Sequence, residues 1–66
     1  MVITVNGKET ALDDGLTLAD FISAKGFNPL AVVVERNHAV AVRDQWPVIV
    51  LQPGDILEIV SFVGGG

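Results

Sequence analysis

Sixty-six residues, without a single cysteine and with a formal charge of −4, make one small domain that has no disulfide, no thiolate metal site and no cysteine nucleophile. Half the residues are apolar, so a dense core is affordable even though a chain this short hides only about 60% of its unfolded surface. Four basic residues, Lys8, Lys25, Arg36 and Arg43, stand against eight carboxylates, which disfavours nucleic acid and anionic membrane as partners and favours a basic protein surface.

The opening stretch, MVITVNGKETAL, predicts a β-hairpin. Ile3 and Val5 share one face by period two, and Val2 and Thr4 share the other. Asn6-Gly7 is the favoured two-residue turn, because both residues tolerate positive φ. Lys8 to Leu12 then returns antiparallel, and Asp13-Asp14-Gly15 closes the unit as a polar turn. No charged-then-apolar leader stands at Met1 and no apolar run nears ~20 residues, so a cytoplasmic, non-membrane location is expected.

The segment TLADFISAKG predicts the helix. Thr17 is placed to cap the first turn, and Asp20 adds favourable charge there. Leu18, Phe21 and Ile22 form an i, i+3, i+4 stripe that must face a sheet. Lys25 suits the last turn, Gly26 the left-handed stop, and Asn28-Pro29 prevents continuation.

Strand composition resumes at Ala31 to Glu35 and Ala39 to Val42, which flank an Arg36-Asn37-His38 turn. Residues 43–55 read as a connection in which Pro47 interrupts any regular element and Pro53-Gly54-Asp55 turns. ILEIVSFV is the last strand, with Leu57 and Ile59 alternating against Ile56, Glu58, Val60 and Phe62. Its apolar content predicts a central place in the sheet.

The order β-β-α-β-β-β predicts an α+β fold of the β-grasp, ubiquitin-like arrangement: a mixed sheet of four to five strands with one helix on one face. Expected core members are Val5, Leu18, Phe21, Ile22, Val32 and Ile59. Residues 1–63 form the domain and 64–66 a flexible glycine tail.

Catalytic parts are scarce. His38, the sole histidine, falls in a turn, where it reads as a solvated side chain; no second imidazole or thiol exists to complete a zinc site. Asp13-Asp14 reads as a turn pair before a helix, and Ser23 and Ser61 have no base at a meaningful spacing. Trp46 is either a packing residue or a partner anchor. No enzyme active site and no resident cofactor or metal are expected.

The chain resembles the ThiS family of sulfur carriers over its whole length. The resemblance is carried by VNGKE, LTLADFI, VVVERNHAVAVRDQW and LQPGDILEIVSFVGGG. Arg43 and Trp46 match an arginine, two variable residues and a tryptophan; Gly54-Asp55 keeps the family's Gly-Asp pair, and Val42 stands where a proline is common. Gly65 and Gly66 match the family's closing diglycine. The resemblance implies a Gly66 carboxylate that is adenylated with ATP by an E1-like adenylyltransferase of the ThiF type. A persulfide sulfur donor converts it to a thiocarboxylate, and a thiazole synthase of the ThiG type accepts the sulfur.

Gly64 and Gly65, lacking Cβ atoms, suit passage through a narrow channel. Docking is expected on the sheet face opposite the helix, at Phe62, Val63 and Val60 first and Val40 and Val42 after them. Other readings are a molybdopterin-synthase-type small subunit (MoaD-like), a ubiquitin-like modifier joined through Gly66 to lysines, and a plain β-grasp interaction domain with an idle tail.

Overall fold

The asparagine-glycine turn forms as its residue types require. In the computed structural model, which describes residues 1–62, Asn6 and Gly7 take φ of 50° and 80° and join β1 (Val2–Val5) to β2 (Lys8–Ala11). The second hairpin joins β3 (Val32–Arg36) to β4 (Ala39–Ala41) through Asn37 and His38, both at positive φ. Asn and His are among the side chains that accept this region. The last strand, β5 (Ile56–Ser61), follows Gly54, whose φ of 84° turns the chain into it.

The five strands lie in the order β2-β1-β5-β3-β4. The central strand β5 runs parallel to β1 and antiparallel to β3, so both of its edges are paired, as its apolar content predicts. The helix α1 (Leu18–Ala24) opens with a capping box: the Asp20 N–H donates to Thr17 Oγ1 (3.1 Å), and the Thr17 N–H donates to the Asp20 carboxylate (3.2 Å). It stops in a Schellman motif. Phe27 N–H reaches Ile22 C=O, and Gly26 N–H, at φ 77°, reaches Ser23 C=O. Lys25 is therefore the cap residue and not part of the last turn, and its ammonium lies 5.9 Å from the centre of the Phe21 ring.

One face of the sheet is covered. Ile3, Val34, Leu57 and Ile59 pack against Leu18, Phe21 and Ile22 of α1, with Trp46 and Leu51 from the connection completing the core. Of the expected core members, Leu18, Phe21, Ile22, Val32 and Ile59 are buried. Val5 is only half-buried, because it directly precedes the hairpin tip.

The connection is more ordered than its proline predicts. Arg43–Val48 forms a 3₁₀ turn with Pro47 inside it, since proline's fixed φ is compatible with 3₁₀ geometry even though it cannot donate. Trp46 is a packing residue: it is 4% exposed, and its Nε1 donates to Ala41 C=O at 2.9 Å. No helix among the described residues is long and apolar enough to cross a membrane.

Candidate partner-docking face

Strand alternation leaves the side of the sheet away from α1 open. Leu57 and Ile59 of β5 face the core, whereas Glu58 and Val60 are exposed. The neighbouring strand β3 repeats the pattern, with Val32 and Val34 inward and Val33 and Glu35 outward. Antiparallel register sets Val33 directly opposite Val60, and Glu35 opposite both Glu58 and Val40. Directly opposed residues share a face, so these five side chains form one continuous patch.

Val60 and Phe62 are each more than half exposed, at 59% and 52%, so the apolar end of the patch lies at the C-terminal end of β5. Val40 and Val42 are likewise exposed. The structure thus puts Val60 and Val40 on one face, on the two strands that flank β3, and places Phe62 just past the end of β5. Val63, Gly64, Gly65 and Gly66 lie outside the described residues, and so does the boundary expected after residue 63.

Beneath this face, β5 is fixed at its start. Asp55 is 5% exposed and accepts hydrogen bonds from Arg36 Nε (2.9 Å), Asn37 Nδ2 (3.1 Å) and the Gln52 N–H (2.9 Å). Burial pushes its carboxyl up, but the Gln52 N–H, the Asn37 amide and the Arg36 guanidinium outweigh that and hold it below the ordinary 3.8. Asn37 also accepts from Ile56 N–H at 2.9 Å, so the tip of the β3–β4 hairpin is tied to the first residue of β5. At the far end the Phe62 N–H donates to Ala31 C=O at 2.7 Å.

Catalytic equipment is absent among the described residues. No group of three or more His, Asp or Glu is placed to hold a metal. His38, Asp13, Asp14, Ser23 and Ser61 are all exposed, and Asp14 pairs with the amino terminus at 3.2 Å. The groove of about 410 Å³ beside the end of β4 is lined by valines, Ala41 and Trp46, with Arg43 and Asp44 at its rim. That lining offers mainly apolar contact area, with Asp44 its one carboxylate.

Sequence reasoning missed Val33, the Glu35–Glu58 opposition and the Asp55 network. Alternation places each of these residues on a face, but only the register between β3 and β5 sets them beside one another.

Comparison with known proteins agrees with this architecture. The family model described as the ThiS family matches residues 2–66. A thiazole synthase of Magnetococcus marinus is 42% identical over 66 residues, which cover all of this chain and 20% of that protein. A thiazole synthase of Paramagnetospirillum magneticum is 32% identical over the same length and proportion. The chain thus spans about a fifth of the length of these two relatives. The sulfur carrier protein ThiS of Bacillus subtilis is 32% identical over 66 residues, covering 98% of this chain and 100% of that one. The crystal structure of the thiamine biosynthesis protein ThiS from Geobacter metallireducens superposes with a TM-score of 0.84 at 35% identity, with all of both chains covered. The five-stranded mixed sheet with one helix is accordingly the β-grasp fold of ThiS structures.

Proposed function

The chain belongs to the ThiS family, and on that premise we propose that it is a sulfur carrier of thiamine biosynthesis, a protein co-substrate and not an enzyme. The observation that carries this reading is its full-length match to the Bacillus subtilis sulfur carrier together with the ThiS fold. In the proposed cycle, which takes place in the cytoplasm, the Gly66 carboxylate is the working group. A carboxylate resists nucleophiles because its charge is delocalised and oxide cannot leave. An E1-like adenylyltransferase therefore joins it to the adenylyl group of ATP, releasing pyrophosphate. A persulfide donor then attacks the acyl carbon; the acyl–sulfur bond forms as the bond to AMP breaks. A thiol then attacks the donor's own sulfur, forming a disulfide with it as the remaining sulfur–sulfur bond breaks and the thiocarboxylate leaves.

Gly64 and Gly65 carry that group into each active site, as residues without Cβ atoms to obstruct a channel. Ordering such a tail costs roughly 1–2 kcal/mol per residue, which contacts elsewhere must offset. We assign that role to the open face, to Val60, Val33 and Val40 with Phe62 just past the end of β5, and to Val63 as the next residue along the chain. The sulfur is then delivered to a thiazole synthase. Support for this acceptor comes from the two relatives of that name, each of which contains a stretch similar to this whole chain within a longer polypeptide.

Removal of Gly65 and Gly66 tests the reading in cells. The shortened chain is expected to fold as before and to fail to restore thiamine-independent growth to a host lacking its own carrier. Full restoration by the shortened chain would return the domain to the class of plain interaction modules.

A further inference from the structure

Glu35 and Glu58 stand directly opposite one another on adjacent strands, both exposed, on the open face. At such a position Cβ atoms are ~5 Å apart, and two like charges there destabilise the free sheet. Neither carboxylate forms an ion pair among the described residues, where the pairs are the amino terminus with Asp14 and Arg36 with Asp55. The strands' own basic residues are on the other side, since Lys8 is opposite Val5 and Arg36 is opposite Leu57, both on the face toward the core. Glu9, opposite Thr4, adds a third carboxylate to the open face. The apolar pair Val33–Val60 lies two residues along the same strands, about 7 Å away at ~3.3 Å per residue.

We propose that the Glu35–Glu58 pair is the charge-reading element of this docking face, receiving an arginine guanidinium from the adenylating partner while Val33, Val60 and Val40 receive apolar side chains around it. This rests on the sulfur-carrier reading above. The partner must be selected by the domain, because three glycines present no side chain by which one tail can be told from another. A planar guanidinium can donate to both carboxylates at once, and in doing so it removes the repulsion between them. An apolar face carrying three carboxylates and no strand cation fits one arginine-bearing, apolar protein surface and repels an acidic one.

The test is titration of the host's adenylating enzyme with the wild-type chain, Glu35→Gln, Glu58→Gln and, as a control of equal net charge, Asp13→Asn, at low and at physiological salt. Each glutamine variant is expected to bind about tenfold more weakly, chiefly through a faster dissociation, with the difference narrowing as salt rises. Asp13→Asn, in an exposed turn, is expected to bind like the wild type. Each glutamine variant is also expected to unfold at a higher urea concentration, as the opposed charges are relieved. Binding by both glutamine variants within twofold of Asp13→Asn, or a lowered urea midpoint in either, overturns the proposal while leaving the sulfur-carrier reading in place. A wild-type chain that does not bind the enzyme at all overturns both.

Discussion

Asn6 grips the backbone of Ile59 from across the sheet: its Oδ1 accepts from the Ile59 N–H at 2.7 Å and its Nδ2 donates to the Ile59 C=O at 3.2 Å. The Asn6 N–H meanwhile donates to Leu57 C=O at 2.9 Å. A turn residue at the tip of the first hairpin thereby extends the pairing between β1 and β5 beyond the end of β1. Asn6→Gly keeps the positive φ and loses both side-chain bonds, for an expected destabilisation of about 1–2 kcal/mol. Asn6→Ala loses the bonds and also strains the backbone, so its loss should be larger by up to ~1 kcal/mol. Urea unfolding of the two variants measures the order; equal stability of Asn6→Gly and the wild type would remove the grip from the account.

The Asp55 network predicts an acid limb. The folded chain holds this carboxyl below its ordinary 3.8, so on acidification the unfolded chain takes up the proton first. The stabilisation is fully present above about pH 4 and is lost as pH falls through the folded-state pKa. Asp55→Asn, which leaves the Arg36 guanidinium without its carboxylate, is expected to cost about 2 kcal/mol at neutral pH and to flatten the acid limb. Urea midpoints taken from pH 7 down to pH 3 check both features.

Trp46 is the only tryptophan, and it is buried, so its fluorescence reports unfolding without a label. Trp46→Phe removes the Nε1 donor to the Ala41 carbonyl and part of the packed volume, with an expected loss of about 2 kcal/mol. Because that variant loses the probe, circular dichroism follows its unfolding.

A charge placed in the apolar part of the open face separates docking from folding. Val60 is 59% exposed but pairs with Val33 on the central strand, so Val60→Asp is expected to cost only about 1 kcal/mol of stability. Its binding to the adenylating enzyme is expected to weaken by at least tenfold, in line with desolvating an unpaired carboxylate. Unchanged binding would move the docking face elsewhere.

What was legible in the sequence was what neighbours along the chain determine. Thr17, Asp20 and Gly26 bound the helix within ten residues of one another, and Asn6-Gly7 marks its hairpin by itself. Val60 and Phe62 were readable as outward because alternation needs only their own strand. Pairing across distance was not readable. Asp55 looks like an ordinary turn residue until Arg36 and Asn37, 19 and 18 positions away, close over it. Glu35 and Glu58 are unremarkable singly and acquire meaning only through the register of β3 against β5. Trp46 left two readings open because burial belongs to the assembled core and not to the residue type. Gly66 was legible only through the family likeness, since a glycine carries no side-chain chemistry of its own.

Intact-mass spectrometry after incubation with ATP, a persulfide donor and the adenylating enzyme tests the central claim most directly. The account predicts a gain equal to the exchange of one oxygen for one sulfur, located at Gly66 by fragmentation and absent from a chain lacking Gly65 and Gly66. An unchanged mass, with the same enzyme active on another carrier, would contradict it.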